Sequence, residues 1–339
     1  MGLPVPGGRD AATCEAAAVP RRAAFLFCLA SVAWGMPYLL AALTLDDLAP
    51  IVTVFARAAL AAAVLVPLAV RRGALRSLRG RGRDIAWLAL LDLTAPTLLV
   101  TQGLETLPSS VAGTLVASVP LAVAGLAWRL DAGELATGWR LVGLLVGLGG
   151  VGVLLGFQVS GDPRAFVGST LVLAAAACYA AGALFYKRRF AESSPLGVVA
   201  VALVACMAMC AVPAALALPS DVPSARSIGA VALLGLGCTG GGYIAFYTLI
   251  TMIGAGRAAV ITYVAPAIAV VAGVALLDEP LTAAGVAGLL LVLAGSWLAT
   301  GGRPPGLRKG WLSTRCGFGY AARRRAPAPR SMPRTEGHG

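Results

Sequence analysis

The sequence predicts an all-α integral membrane protein whose ten transmembrane helices form two inverted five-helix repeats. The composition supports the first part of this statement, because 58% of the 339 residues are hydrophobic and only 12% are charged. Soluble domains have about 25% charged residues. The chain therefore has too little polar surface to cover a water-soluble body. A motif that occurs twice supports the second part.

Ten apolar stretches of the sequence are long enough to cross a bilayer. A hydrocarbon core about 30 Å thick requires about 20 apolar residues in a helix. The stretches are continuously apolar rather than alternating, which excludes an outer-membrane barrel. They occupy residues 23–43, 49–70, 85–104, 111–130, 139–157, 167–186, 196–218, 228–249, 258–277 and 282–300.

The basic residues indicate which way the chain crosses. With the N-terminus inside, 24 of the 27 lysines and arginines fall on the cytoplasmic side, where positively charged loops are retained. Both termini are therefore predicted to be cytoplasmic, and the basic loops and tail are predicted to lie beside anionic lipid. The Ala/Gly/Pro-rich tail at 1–22 and the basic tail at 301–339 are predicted to be disordered.

The repeated motif is an apolar helix with a proline, a turn with a glutamate, and a second apolar helix. Its markers are Pro120 and Glu134 in the first copy and Pro266 and Glu279 in the second. Counted from each glutamate, glycines recur at the ninth and sixteenth positions, at Gly143 and Gly150 and at Gly288 and Gly295. Small residues let helices approach closely in membranes. We predict such contacts at these four glycines and at Gly147, Gly152 and Gly156.

Other pairs of residues extend the repeat to the rest of the apolar region. Tyr179 follows Trp34 after 145 residues, and Pro195 follows Pro50 after the same interval. Each repeat, 23–157 and 158–300, then holds five helices. Because five is odd, the second repeat must enter the membrane from the opposite side, and the halves are predicted to be inverted.

Two further motifs have simple structural interpretations. The run from Gly235 to Gly240 has the spacing of a dinucleotide-binding fingerprint, but it lies inside a predicted span with no strand before it. Close helix packing, or a kink beside a cavity, is the better interpretation. Cys206 and Cys210 lie one helical turn apart and are interpreted as packing residues. No metal or cofactor is expected.

The paired proline–glutamate–glycine units, Trp34-Gly35, Arg57 after Pro50 and the ten spans together resemble the EamA family of the drug/metabolite transporter superfamily. The resemblance covers residues 23–300. It implies a carrier in the cytoplasmic (inner) cell membrane, with a central cavity between the halves. It also implies that the carrier moves small polar metabolites or drugs, commonly outward.

Polar and aromatic side chains at mid-depth are the candidates for contact with the substrate. Arg57 and Asp92 are charged, and an isolated charge within the bilayer costs about 3 kcal/mol. At 1.5 Å per residue their depths differ by about 6 Å, so they are predicted to pair. The alternative is that Arg57 extends outward while Asp92 is hydrated in the cavity. The candidates for contact are Trp34, Asp92, Gln102, Tyr179, Tyr243, Tyr247 and Thr248.

The acidic turns and one helical position complete the comparison of the two halves. Glu134 and Glu279 lie at span ends, where capping of the helix that follows is favoured over proton handling. Asp278 replaces the glycine that precedes the glutamate in the first unit. Ala202 stands where the second half would repeat Arg57. These two departures leave the substrate and the energy coupling open.

Two other functions compete with secondary transport. A membrane enzyme would need paired acids, a metal cluster or an activated nucleophile, but the one histidine is His338 in the tail, so no enzyme is expected. A non-transporting scaffold or lipid-handling protein is the remaining alternative. Without a nucleotide-binding module, ion or substrate gradients would drive transport. The expected partners are a small-molecule substrate and the lipid bilayer; a homodimer is left open, and no nucleic acid is expected.

Overall fold

The computed structural model of the chain describes residues 21–130, 139–159, 163–253, 258 and 260–299. All regular elements in these ranges are helical. Seven helices are long and apolar enough to cross a membrane, and three shorter apolar helices accompany them. We number them α1 (Arg21–Thr44), α2 (Pro50–Arg71), α3 (Gly82–Gly103), α4 (Ser109–Val116 and Val119–Leu130), α5 (Trp139–Val159), α6 (Pro163–Arg189), α7 (Pro195–Leu216), α8 (Ala225–Ile253), α9 (Ile261–Leu277) and α10 (Ala283–Ala299).

By length and composition, seven of these helices can cross a membrane. That α5, α9 and α10 also cross it remains a prediction. The shorter apolar segment within α5 is Leu141–Gly156. Both predicted tails lie largely outside the described residues, because the first described residue is Arg21 and the last is Ala299. Glu134 also lies outside them.

The two prolines of the repeated motif have different effects on their helices. Pro120 is the second residue of the Val119–Leu130 part of α4, which begins after a break at Ala117 and Ser118. Pro266 lies inside α9 without a break. A proline lacks the backbone N–H and is best accommodated in the first helical turn. The same rule explains the break in α1, where Pro37 starts the second part of the helix after Met36.

Two π-helical segments occupy corresponding places in the halves. One is Leu90–Thr94 in α3, and the other is Leu233–Gly241 in α8. Each begins at a leucine pair that follows an arginine by seven residues, Arg83 in the first case and Arg226 in the second. A π-helical turn widens the helix and shifts its hydrogen bonds, and such turns are frequent at functional sites.

The main helix contacts are symmetric between the two halves. Each of these contacts remains a contact when α1 to α5 are replaced by α6 to α10 in order, and the reverse. The largest contacts join α5 to α10 and α2 to α7. In addition, α3 packs on α6 as α8 packs on α1, and α4 packs on α6 as α9 packs on α1. This pattern supports the predicted repeat. The opposite orientation of the halves in the membrane remains a prediction.

The contact between α5 and α10 confirms the prediction for the four glycines of the motif. A Cβ atom at Gly150 would lie 2.7 Å from the Leu291 Cβ, and one at Gly288 would lie 2.5 Å from the Leu154 Cγ. Real Cβ atoms do not approach other atoms below 3.0 Å. Cβ atoms at Gly143, Gly147 and Gly295 would likewise meet Leu298, Leu121 and the Gly147 backbone.

Two glycines of α5 do not behave as predicted. A Cβ atom at Gly152 or Gly156 would meet nothing within 4 Å. The prediction of helix contacts there was wrong, because the face of α5 that bears these residues points away from α10. By contrast, the packing interpretation of Cys206 and Cys210 is confirmed, since both are buried in the hydrophobic cluster between α2 and α7.

Candidate functional site

Charged and phenolic side chains converge in the middle of the helix bundle. Arg57 lies on α2, Asp92 on the π-helical segment of α3, Tyr179 on α6 and Tyr243 on α8, and all four are half-buried. Tyr179 and Tyr243 each lie close enough to both Arg57 and Asp92 to interact electrostatically with them. Tyr38 of α1 interacts in the same way with Arg57 and Tyr179. We call these five residues the central cluster.

Four of the five were singled out from the sequence, and Tyr38 was missed. It lies one helical turn after Trp34, immediately after the Met36–Pro37 break in α1. A Cβ atom at Gly113 of α4 would lie 3.3 Å from the ring of Tyr38. The spacing of four residues from Trp34 was the signal in the sequence, because residues four apart share a helix face.

An aromatic wall along α1 and α8 borders the central cluster. The Trp34 ring meets the Tyr243 ring edge-on, with 6.3 Å between centroids. Tyr243 stacks on Tyr247 at 5.8 Å, and Trp34 also contacts Phe246 at 4.5 Å. The structure therefore brings together three aromatic residues that the sequence predicted separately, namely Trp34, Tyr243 and Tyr247. Aromatic pairs prefer edge-on and offset-stacked arrangements over a face-to-face one.

Arg57 takes a partner that the sequence did not predict. Its Nε donates a hydrogen bond of 2.8 Å to the Thr239 Oγ1 in the π-helical segment of α8. It forms no ion pair with Asp92, so the predicted pair is absent from this structure. The reason is that α2 packs directly on α8. A Cβ atom at Gly235 would lie 3.1 Å from the carbonyl oxygen of Arg57, which brings Thr239 within reach.

Asp92 packs against the backbone of α6. A Cβ atom at Gly182 would lie 2.9 Å from the Asp92 Cβ and 3.0 Å from its Oδ1. No larger residue than glycine fits at position 182 without displacing the carboxylate. The glycine-rich segment around Gly235 likewise packs closely on α2, as the sequence indicated, while forming part of the π-helical segment.

Two of the predicted contact residues have other polar surroundings. Gln102 is one residue from the end of α3 and lines a groove of about 290 Å³ near the start of α6. Thr248 donates its hydroxyl to the Ile244 carbonyl on its own helix. The other residues that line the groove are Glu105, Thr106, Arg164, Val167, Gly168 and Leu171.

Glu279 caps a helix, but not the one predicted. Its Oε1 accepts from the Ser109 N–H at 2.7 Å and its Oε2 accepts from the Ser110 N–H at 2.9 Å, so it caps the first turn of α4. The helix that follows, α10, is capped instead by Thr282, whose Oγ1 accepts from the Gly285 N–H. Glu279 therefore joins the α9–α10 turn to α4. We call the end of the bundle where α4 begins the Glu279 end.

Asp47 makes a similar link from the α1–α2 loop to the start of α8. Its Oδ2 accepts from the Ser224 N–H at 2.9 Å, the Ser224 Oγ at 2.5 Å and the Ser227 Oγ at 2.6 Å. Ser224 is itself the N-cap of α8. The hydrogen bonds from the Ser224 and Ser227 hydroxyls and from the Ser224 N–H lower the pKa of Asp47, since they stabilise the charged form.

Comparisons with known proteins agree with this architecture. The EamA-like transporter family matches the chain twice, over residues 21–156 and 166–301. The uncharacterized transporter YvbV of Bacillus subtilis (strain 168) is 27% identical over 279 residues, which span 80% of this chain and 89% of that protein. A protein of known crystal structure has a TM-score of 0.60 at 22% identity, covering 82% of this chain and 97% of that chain, which shows a shared fold.

The family match covers most of the chain and contains both halves of the predicted repeat. The apolar helices and the transporter relative make the chain a multi-pass membrane protein. A transporter of this kind handles a small-molecule substrate within a lipid environment. This chain belongs to the EamA-like transporter family of the drug/metabolite transporter superfamily.

Proposed function

We propose that this transporter exports small polar metabolites or drugs across the cytoplasmic membrane by alternating access. The central cluster is the observation that carries the proposal. It places one cation, one carboxylate and three phenol groups inside apolar helices that come from both halves of the chain. Polar and charged groups are costly within a membrane and generally mark the path of a substrate.

The helix contacts support a state that is closed at the Glu279 end. The Ser109–Val116 part of α4 packs on α9 and on the second part of α1. Gly113 allows this, because a Cβ atom there would lie 2.6 Å from the Ala269 Cβ. The Val119–Leu130 part of α4 also packs on α6, α10 and α5, as the first part does, but it forms no substantial contact with α9. Helices α4 and α9 therefore meet at one end and diverge towards the other, as expected of one state of an alternating-access cycle.

The distribution of charge supports the orientation of this state. The α2–α3 loop and the end of α6 carry arginines and a lysine, whereas Asp46 and Asp47 occupy the opposite end of the bundle. The proposed topology has ten crossings, with both termini in the cytoplasm. The Glu279 end then faces outward, and the opposite end of the bundle is the proposed entrance for a cytoplasmic substrate. The basic α2–α3 loop lies against anionic lipid in this arrangement.

A metabolite profile tests the proposed function. Cells that overexpress the chain should release one or more small metabolites into the medium faster than cells with an empty vector. Cells that express Asp92→Ala at the same level should resemble the empty-vector cells, and Gly152→Ala, at a position with open space, should behave like the parent. Identical extracellular profiles for the parent and the empty vector would contradict export.

A further inference from the structure

We propose that Arg57 binds an anionic oxygen group of the substrate, a carboxylate or a phosphate, and that Thr239 is the positioning residue that holds Arg57 for this purpose. The proposal rests on the proposed function and specifies the chemistry of its site. Asp92, the phenol groups and the aromatic wall then surround the rest of the substrate.

The hydrogen bonds of Arg57 leave its fork of terminal nitrogens unused. A guanidinium carries five N–H donors, one on Nε and four on the two Nη atoms. The Nε donor is bound to Thr239, and the described residues give the Nη atoms neither a hydrogen bond nor an ion pair. Two parallel N–H donors are the geometry that matches a carboxylate or phosphate.

Thr239 is fixed in the orientation that this role requires. Its hydroxyl donates to the Leu234 carbonyl, five residues earlier, at 2.8 Å. That carbonyl is within reach because the segment is π-helical. With its one proton committed to Leu234, Thr239 can only accept from Arg57. The arginine is therefore held by Nε, and its Nη atoms extend from that contact.

A second arginine of the same chain shows what a structural arginine looks like. The Arg81 Nη1 donates to the Ser193 Oγ at 3.3 Å, its Nη2 donates to the Arg189 carbonyl at 2.5 Å, and its guanidinium lies 4.8 Å from the centre of the Phe190 ring. Both terminal nitrogens of Arg81 thus have protein partners. Arg57 is placed deeper in the bundle, where a charge is more costly, and yet it lacks such partners.

The second half of the chain contains no copy of this arrangement. Thr94 precedes Thr239 by 145 residues, the same interval that separates Arg57 from Ala202. With alanine at position 202, the Thr94 hydroxyl contacts the Met209 sulfur at 3.7 Å. Among the described residues, the arrangement that holds Arg57 is therefore specific to the contact between α2 and α8 and is not repeated at the corresponding contact between α7 and α3.

Thermal unfolding of the purified full-length chain in lipid nanodiscs tests the proposal. The probes are benzoate, malate and glycerol 3-phosphate, each compared with its uncharged counterpart benzamide, malamide or glycerol. At least one anion should raise Tm in a concentration-dependent manner, whereas its uncharged counterpart should not. Arg57→Gln should abolish that shift. If the glutamine variant does not fold, Arg57→Lys replaces it in the test. Lysine retains the charge but lacks the two parallel N–H donors, so this variant should show a smaller anion-induced shift in Tm than the parent.

Variants of Thr239 separate a positioning role from a purely structural one. Thr239→Val should weaken binding of the stabilising anion by about tenfold, the effect of one hydrogen bond to a charged group. Thr239→Ser retains the hydroxyl and should restore binding. Arg81→Gln is the matched control, because it removes an arginine with protein partners and should lower Tm without changing the anion-induced shift.

Three results would overturn the proposal. In the first, none of the three anions stabilises the parent chain. In the second, an anion still stabilises Arg57→Gln. In the third, benzylamine, a cation, stabilises the parent while the anions do not, which would assign the site to Asp92. The metabolite profile shows which proposal has failed. If only uncharged or cationic compounds are exported, the proposed export function stands and the proposed anion subsite is wrong.

Discussion

The π-helical segment of α3 and that of α8 occupy corresponding places in the two halves but carry different chemistry. In α8, Thr239 accepts from Arg57 of the neighbouring α2. In α3, the corresponding Thr94 faces α7, which has Ala202 in place of an arginine. The α3 segment instead carries Asp92. The two halves thus have similar scaffolds, but the first half provides both the cation and the carboxylate, and the second half has Ala202 and Gly237 at the corresponding positions.

A second difference separates the rim of the bundle from its centre. At the rim, the Glu279 and Asp47 carboxylates accept hydrogen bonds from helix starts and from serines. In the centre, Arg57 has a single hydrogen bond and Asp92 has no ion pair with it. Charged groups that stabilise a fold are provided with partners, whereas groups that bind a solute must keep some of their donors and acceptors unoccupied. The predictions that follow test this distinction.

The largest expected effect concerns the scaffold that the halves share. Gly150→Leu and Gly288→Leu should reduce the yield of folded protein in membranes by more than about tenfold, because overpacking costs about 1–3 kcal/mol or more. Gly152→Leu is the control, since a Cβ atom there meets nothing. Size-exclusion chromatography of detergent-extracted protein measures the yield. Equal yields from all three variants would show that α5 and α10 do not touch.

The next effect concerns the central charges. Arg57→Ala and Asp92→Ala should each reduce transport by more than about tenfold, the effect of losing an interaction with a charged group, because each removes a charge proposed to contact the substrate, while surface expression remains measurable. The double variant Arg57→Asp with Asp92→Arg should not recover transport, since the two side chains form no ion pair in this structure. Transport of the exported metabolite in proteoliposomes is the measurement. Recovery in the double variant would show that the pair forms in another state of the cycle.

Removal of the Glu279 cap should have a smaller effect, which begins at the Glu279 end. Glu279→Ala should destabilise the closed end by about 1–2 kcal/mol, the usual effect of losing an N-cap. Spin labels at positions 105 and 281 should report longer distances in the variant. Labels at positions 79 and 192 are the control and should report unchanged distances, because Arg81 joins the two loops that carry them through its hydrogen bonds to Ser193 and Arg189. Glu279→Gln keeps one acceptor oxygen and should give distances between those of the parent and Glu279→Ala. Unchanged distances between positions 105 and 281 in both variants would show that the Glu279 cap does not hold this end closed.

A further change should raise stability at the same turn. Asp278 has a φ of +52°, in the left-handed region, at the end of α9. Glycine adopts that conformation without steric cost, and the first copy of the motif has Gly133 at the corresponding position. Asp278→Gly should therefore increase the free energy of unfolding by at most about 1 kcal/mol. A lower Tm for this variant would show that the aspartate side chain itself is required.

The smallest effect depends on pH and involves Asp47. Its pKa in the folded protein lies below the ordinary value of 3.8. The carboxylate therefore stabilises the folded state above pH 3.8, and this contribution is lost as the pH falls through the folded-state pKa. The difference in Tm between the parent and Asp47→Asn should shrink below about pH 4. Asp46→Asn is the control, because Asp46 accepts none of the three hydrogen bonds that Asp47 accepts. If the Tm difference between the parent and Asp47→Asn did not change with pH, the link from Asp47 to α8 would be contradicted.

The sequence by itself determined the membrane class, the approximate helix positions, the repeat and the family. These properties follow from composition along the chain, because bilayer thickness sets the length of an apolar run and a duplicated motif keeps its spacing. The Gly150 and Gly288 contacts could also be predicted, since glycines seven residues apart lie on one helix face. Trp34, Tyr243 and Tyr247 were identified individually, although their stacking was not.

Only the tertiary structure decided which polar groups meet. Arg57 bonds to Thr239, 182 residues away, and Glu279 bonds to Ser109, 170 residues away, whereas the sequence favoured Asp92 and the adjacent helix. Gly156 faces open space although it repeats the spacing of contact glycines. Hydropathy depends on each residue's own side chain. The choice of partner depends on how each helix is rotated and on where a π-helical turn shifts its face, and packing against the other half of the chain sets both.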